Sequence, residues 1–275
     1  MKILVTGHKG YIGSRLYKKL KHIGHEVVGI DLKDNKNIIG CLPNEKFDYV
    51  FHLAAFPSVQ FSVENPSYTM KNNVLGSSVL LEWCVKKQVK RLIFSSSAAA
   101  NLIQSPYGLQ KRITEMECEL FSKLYNLDTV CLRYYNVYSE DQSFTGPYST
   151  VINHWMNSIS KNQPLFLDGD GDQSRDFIHV DDVVDANLFC MLAANKFFGC
   201  KLDVGTGVET CLKQIKFYVD ETNDVSWIYR PQRVGDIKNS KSNPSKLIDL
   251  GWKPKISIKE GLKRCFKKGV KNERS

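Results

Sequence analysis

Lys2-Ile3-Leu4-Val5-Thr6-Gly7-His8-Lys9-Gly10-Tyr11-Ile12-Gly13 is the stretch that decides how this chain is read. An apolar run of strand length meets three glycines spaced G-x-x-G-x-x-G, and a helical pattern with Leu16, Leu20 and Ile23 on one face follows. A strand that turns through glycine into a helix presents backbone N–H groups at the positive end of the helix, an anion site suited to a pyrophosphate. The spacing is one residue wider than the G-x-G-x-x-G of the dinucleotide-binding fingerprint. Asp31 closes the second strand eighteen residues after Gly13, where a carboxylate accepts hydrogen bonds from a ribose diol and repels a 2′-phosphate. That placement favours NAD over NADP, with Lys33 near enough to weaken the preference.

Outward from this turn, short apolar runs alternate with helical patterns. Strands are expected at residues 1–6, 26–31, 49–53, 91–95 and 129–133, and helices at 12–23, 73–87 and 106–125. Strands alternating with helices predict an α/β fold, a Rossmann-like doubly wound parallel sheet. The second half is less regular. It shows a helix at 148–161, a segment 164–180, a helix at 182–195, an apolar run at 202–205, a helix at 212–219 and a basic terminal helix at 258–270. The expected organisation is a dinucleotide domain over 1–136, to which 178–205 returns, and a smaller interleaved substrate lobe from 137–177 and 206–275.

Composition bounds the function. With 42% hydrophobic and 24% charged residues, the chain is an ordinary globule, and no 18-residue apolar run suggests a membrane span. The start is too briefly apolar for a signal peptide. The eight cysteines are dispersed without a Cys-x-x-Cys pair, which suits buried reduced thiols in the cytoplasm rather than disulfides or a zinc site. From Lys253 to Ser275, seven lysines and two arginines face two glutamates, so +7 of the formal +9 sits there. A charge confined to one end reads as a solvated helix and tail rather than a nucleic-acid face.

Two constellations carry chemistry. Ser105-Pro106-Tyr107-Gly108-Leu109-Gln110-Lys111 opens a helix, so Tyr107 and Lys111 lie one turn apart on one face. An ammonium beside a phenol stabilises the phenolate, and it can also bond the nicotinamide ribose. Upstream, Ser95-Ser96-Ser97 ends a strand at the sheet edge where open α/β folds bind ligands. One serine hydroxyl there can hold a substrate hydroxyl against the tyrosine, while the other two also fit a merely polar strand end.

With these motifs in place, the chain resembles the extended short-chain dehydrogenase/reductase family, and within it the NAD-dependent nucleotide-sugar epimerases and dehydratases. The resemblance also runs through His52-Leu53-Ala54-Ala55, Asn73-Val74-Leu75-Gly76 and Leu132-Arg133-Tyr134-Tyr135-Asn136-Val137-Tyr138. It continues in Gly169-Asp170-Gly171-Asp172-Gln173-Ser174-Arg175-Asp176-Phe177-Ile178-His179-Val180-Asp181-Asp182, in Asp203-Val204-Gly205-Thr206-Gly207 and in Arg230-Pro231-x-Arg233-x-Gly235-Asp236. It implies that Gly7, Gly10, Tyr11, Ile12, Gly13, Asp31 and Leu32 hold the adenosine diphosphate half of NAD. It places Ala54, Ala55, Asn73, Ser95, Tyr107, Lys111 and Tyr134 along the rest of the cofactor. Ser97, Tyr107 and Lys111 are the implied catalytic residues. Ser97 and Tyr107 with Asn136, Arg175 and Arg233 are the implied contacts of a nucleotide diphosphate sugar, where guanidinium suits phosphate. Arg175 beside Asp176 also fits a structural ion pair.

Ser97 is followed by Ala98-Ala99-Ala100, whereas family dehydratases place an acidic pair there. The resemblance therefore implies 4-epimerisation of a nucleotide diphosphate sugar, a UDP-hexose, through a 4-keto intermediate. A dehydratase or 4-ketoreductase of the same family is one alternative, and a non-catalytic NAD-binding interaction protein is another. A homodimer through the helices at 73–87 and 106–125 is implied as well, with sugar substituents read around Ser58, Gln60, Tyr148 and Ser149. Two departures stand out. About seventeen residues separate Asp31 from the next strand, where the family has a further strand and helix, so 37–42 is expected to be a vestigial strand. The loop from Ala98 to Ser105 is also short, which leaves the site with less cover.

Overall fold

The structure is a computed structural model that describes residues 1–144, 150–232 and 238–267. Its strands are β1 (Lys2–Thr6), β2 (Glu26–Ile30), β3 (Tyr49–His52), β4 (Arg91–Ser97), β5 (Asp128–Tyr134), β6 (Asn136–Tyr138), β7 (Leu165–Asp168), β8 (Ser174–Arg175), β9 (Phe177–His179), β10 (Cys200–Val204), β11 (Thr210–Cys211), β12 (Trp227–Arg230) and β13 (Asn239–Ser240). The helices are α1 (Tyr11–His22), α2 (Ile38–Cys41), α3 (Val59–Glu64), α4 (Pro66–Met70), α5 (Gly76–Lys87), α6 (Ala99–Leu102), α7 (Pro106–Tyr125), α8 (Val151–Ser160), α9 (Val180–Leu192), α10 (Leu212–Thr222), α11 (Ser245–Asp249) and α12 (Ile258–Cys265). The chain divides into two compact units, Met1–Tyr134 with Val183–Val204, and Tyr135–Asp182 with Gly205–Ser275.

The first unit is built on a six-stranded sheet ordered β10-β5-β4-β3-β1-β2, every neighbouring pair parallel. Burial on both faces explains why these strands read as unbroken apolar runs: Ile3, Leu4, Val5, Val50, Phe51, Ile93, Val130, Cys131 and Leu132 are fully buried. The chain runs from β1 outward to β2, then crosses back to β3 on the other side of β1. The order therefore reverses at the carboxyl ends of β1 and β3, where an open α/β sheet binds its ligand. The parallel sheet expected from the sequence is the one observed.

The helices follow their local signals. Ser105 accepts a hydrogen bond from the Gly108 N–H (3.1 Å) and Pro106 starts α7, the arrangement that offsets orphan N–H groups at a helix start. Asn126 ends the same helix in the left-handed region at φ 55°. The helix expected at 73–87 begins as a wider π turn, Lys71–Leu75, before α5.

The segment after β2 departs from expectation. Residues 37–42 form no strand. Asn37 instead accepts from the Ile39 N–H (3.0 Å) and starts the single turn α2, with Ile38 and Phe47 buried in the core. Among the described residues, β2 is thus the edge of the sheet. A run that short gains more from side-chain capping and burial than from one further ladder.

In the second unit, β7 pairs with β12 and β6 with β9, both parallel, while β8 lies between β11 and β13. Tyr138, Ile152, Trp155, Leu165, Leu167, Phe177, Ile215 and Leu262 form its core. The helix expected at 148–161 is described from Val151, since Tyr148 and Ser149 lie outside the described residues. The terminal helix expected to reach residue 270 ends at Cys265, and the basic tail from 268 also lies outside them. All eight cysteines are free thiols. Cys84, Cys118, Cys131 and Cys190 are buried and Cys41 is exposed. Among the described residues no helix is long and apolar enough to cross a membrane.

Candidate active site

The glycine turn is set by backbone contacts that no side chain could share. Gly7 has φ +74°, and a Cβ there would lie 2.6 Å from the Ala54 nitrogen. A Cβ on Gly13 would lie 2.1 Å from the Gly7 carbonyl oxygen. The turn is closed by Gly7 N–H to Ile30 O (2.7 Å) and Gly10 N–H to Gly7 O (2.9 Å). Gly10 is the residue before α1 and no side chain caps that helix, so its positive end is left for an anion. Tyr11 and Ile12, half-buried, form the first turn. This donor set fits the pyrophosphate of a dinucleotide.

Asp31 braces the glycine turn from the end of β2. One carboxylate oxygen accepts from Lys9 N–H (2.9 Å) and the other from Lys33 N–H (2.9 Å), which ties the glycine turn to the short turn Leu32–Asp34. A carboxylate offers about four lone-pair directions, so each oxygen retains capacity for a ribose hydroxyl. The Lys33 ammonium donates to the Lys9 carbonyl (3.2 Å), and the Lys9 ammonium pairs with Asp34. Leu32 is exposed beside them.

Behind the turn runs a buried polar chain whose proton positions follow from its partners. Ser77 Oγ donates to Asn73 O (2.6 Å), so it accepts from His52 Nε2 (2.8 Å). His52 Nδ1 is then the acceptor of the Thr6 hydroxyl (2.7 Å), and Thr6 Oγ1 accepts from Ala54 N–H (3.3 Å). Burial, with the nearby Lys111 charge, drives His52 down to about 3, so the ring is neutral and held in one tautomer. Asn73 clasps the backbone of Phe56 through both ends of its amide, Oδ1 from N–H (2.8 Å) and Nδ2 to O (3.2 Å), and its Nδ2 also reaches Gln110 (2.8 Å). Asn73 therefore shapes the Ala54-Ala55-Phe56 loop.

The three serines separate by partner. Ser95 Oγ bonds the Tyr134 hydroxyl (2.9 Å), which Asn187 also engages (2.8 Å), and burial pushes the Tyr134 phenol up to about 12. Ser96 Oγ donates to Glu115 (2.6 Å). Ser97 Oγ accepts from Ala99 N–H (3.2 Å) and keeps its proton to donate. Ser95 and Ser96 are thus internal struts, and Ser97 is the hydroxyl at the strand's carboxyl end. Sequence reading had no access to Asn187, Glu115 or Gln110 as partners, although Glu115 stands one helical turn past Lys111.

Helix α7 presses against this strand end. A Cβ on Gly108 would come within 2.6 Å of the Ala99 carbonyl oxygen, so glycine lets the first turn of α7 touch the backbone two residues past Ser97. Tyr107 is buried, with its N–H donated to Ser62 Oγ (3.1 Å); α3, which carries Ser62, is too short for periodicity to reveal. Lys111 Nζ donates to Ser95 O (2.7 Å) and lies 4.7 Å from the Phe94 ring centre and 5.9 Å from that of Tyr107. Burial lowers its ammonium to about 8, with Glu115 opposing the shift. Ser58 caps α3 and Gln60 bonds Glu64 (2.6 Å).

In the second unit, Asn136 N–H and Nδ2 both donate to Asp176 O (each 3.1 Å). Arg175, half-buried, donates to Ser174 O (2.8 Å). The buried Asp176 carboxylate accepts from Thr206 N–H (2.9 Å) and Oγ1 (2.6 Å), from Gly207 N–H (2.9 Å) and from Ser242. It is a structural node of the motif. Arg233 lies outside the described residues.

Comparisons with known proteins show the family and the fold. The model of the NAD-dependent epimerase/dehydratase family matches residues 3–198. A candidate UDP-glucose 4-epimerase of Methanocaldococcus jannaschii is 34% identical over 99% of this chain and 100% of its own, in an alignment of 313 positions. That alignment exceeds the 275 residues of this chain, so the relative carries segments without a counterpart here. The Thermotoga maritima UDP-glucose 4-epimerase, solved with UDP-glucose, is 33% identical with a TM-score of 0.83 over 97% of both chains. The Thermus thermophilus UDP-glucose 4-epimerase, solved with NAD, is 27% identical with a TM-score of 0.80 over 97% of this chain and 98% of its own.

Proposed function

The chain belongs to the NAD-dependent epimerase/dehydratase family, and from that premise we propose that it interconverts the C4 epimers of a UDP-hexose. The observation that carries the reading is the packing of α7 on the end of β4, which brings the Tyr107–Lys111 pair to the strand that ends in Ser97. No carboxylate follows Ser97, only the turn and short helix of Ala98, Ala99 and Ala100. Elimination of water needs an acid and a base at the sugar, so epimerisation is favoured over dehydration.

NAD would be held by Gly7, Gly10, Tyr11, Ile12, Gly13 and Asp31, and Lys111 would serve its nicotinamide ribose. When bound it supplies a hydride acceptor at C4 and later the donor. Tyr107 as phenolate takes the O4 proton, Ser97 Oγ orients that hydroxyl, and Lys111 stabilises the phenolate. The flat 4-keto sugar then turns, and Tyr107 returns the proton to the new alcohol. Asn136, Arg175 and Arg233 hold the nucleotide diphosphate.

Incubation of the purified protein with UDP-glucose, followed by proton NMR, tests this. The expected product is UDP-galactose with no net change in cofactor redox state. A protein that carries NAD yet converts neither UDP-glucose nor any other UDP-hexose would overturn it.

The surface of α7 supports the reading that the protein is a homodimer. Leu109, Met116, Leu120 and Leu124 are exposed along one helical stripe, with Leu75 exposed just before α5, an apolar surface that a second copy would cover. Sedimentation should show a dimer, and Leu120→Glu should give a monomer; a monomeric parent protein would refute it. The free thiols favour a reducing, cytoplasmic location.

A further inference from the structure

Glu115 is fully buried on α7, one turn beyond Lys111. Its Oε1 accepts from Ser96 Oγ (2.6 Å) and Arg133 Nε (2.7 Å), and its Oε2 from Arg133 Nη2 (2.7 Å) and Arg112 Nη1 (3.2 Å). Arg133 comes from β5 and also bonds Asn101. Ser96 stands between Ser95, whose carbonyl accepts the Lys111 ammonium (2.7 Å), and Ser97. Two bonds one helical turn apart, Lys111 to Ser95 and Ser96 to Glu115, therefore stitch α7 to β4 immediately before Ser97. The fork of Arg133 fixes the same carboxylate against β5, a geometry that admits little sliding.

The carboxylate is also a charge. Burial pushes Glu115 up, but the hydrogen bonds from Arg133 and Ser96 outweigh that, and it remains below the usual carboxylate range. Several groups face Lys111. They are the Phe94 ring from β4, neutral His52 from β3, Cys131 from β5, and Tyr107, Cys118 and Glu115 on α7. Glu115 is the carboxylate among them, and it opposes most strongly the loss of the Lys111 proton on burial.

We propose that Glu115 is a positioning residue for the reaction. It keeps the serine strand in register with the Tyr107–Lys111 helix and holds Lys111 in its ammonium form. The inference rests on the roles given to Tyr107 and Lys111 above.

The test compares the wild-type holoenzyme with Glu115→Gln and Ser96→Ala. Two quantities are read against pH: turnover of UDP-glucose, and the Lys111 Cε resonance in lysine-labelled protein. Glu115→Gln is expected to lower kcat about tenfold to a hundredfold with KM little changed. It should also move both the basic limb of activity and the Lys111 titration down by about one pH unit. Ser96→Ala leaves the buried ion pair whole, so it keeps the fold and the pH limb while lowering kcat severalfold. A Lys111 titration unmoved in Glu115→Gln, or full kcat in Ser96→Ala, overturns the proposal. A wild-type protein that turns over no UDP-hexose refutes the reaction, while the Lys111 resonance still decides the electrostatic role of Glu115.

Discussion

Tyr107→Phe is expected to lose turnover by about a thousandfold, within the range for removal of a general acid–base group, while keeping its fold and its NAD. The phenol is the group assigned to the O4 proton, and phenylalanine has no atom to carry it. The main-chain anchors of this region do not depend on the phenol. Ser62 accepts the Tyr107 N–H, and Ser105 with Pro106 starts α7 whichever ring follows. Because proton transfer is a transition-state event, kcat and kcat/KM should fall together and KM should change little. Steady-state kinetics on UDP-glucose, with released NAD quantified by chromatography, checks both halves. A variant that keeps full turnover would remove Tyr107 from the mechanism.

Gly13→Ala should be nearly as severe, by another route. The added methyl would sit 2.1 Å from the Gly7 carbonyl oxygen and 2.9 Å from its carbonyl carbon. Both are main-chain atoms of the turn, so no rotamer change relieves the overlap, and α1 must move away from β1. Overpacking of this kind costs about 3 kcal/mol, and the shift drags the uncapped end of α1 away from where a pyrophosphate would bind. The expected result is a lower denaturant midpoint together with protein that purifies without NAD. An unchanged midpoint with full NAD content would show that the turn is not the cofactor's anchor.

The sequence carried most of the first unit because parallel strands covered on both faces need apolar residues at every position. β1, β3 and β5 announce themselves that way, and Ser105-Pro106 marks the start of α7 to the residue. The two-residue strands β8, β11 and β13 were not legible, since a ladder that short is defined by its neighbours and not by its own composition. Residues 37–42 looked like a strand because Ile38, Ile39 and Leu42 are apolar, yet an isolated edge ladder lost to the Asn37 cap and to burial of Ile38. At the candidate site, the Tyr107–Lys111 pairing on one helix face was legible from spacing, whereas the choice of Ser97 among the three serines came only with the family resemblance. The division of labour among the three was not legible. It depends on Tyr134, Asn187 and Glu115, which lie 19 to about 90 positions away in sequence.

A sheet that stops at β2 also has to refuse further strands, because an open edge is a template for aggregation. Even-numbered residues of β2 turn their main chain toward β1, as the bonds from Glu26 N–H to Met1 O and from Gly7 N–H to Ile30 O show. Val27 and Gly29 therefore face outward. Tyr17 donates its hydroxyl to the Val27 carbonyl (3.4 Å), and the His8 ring lies where a Cβ of Gly29 would be. His8 and Tyr17 pack on each other with ring centres 5.1 Å apart. Tyr17, from the helix after the glycine turn, thus occupies one outward acceptor of the edge, while His8 packs on the face of β2 beside it, so the resistance of this edge to pairing with other chains is tied to side chains that adjoin the glycine turn.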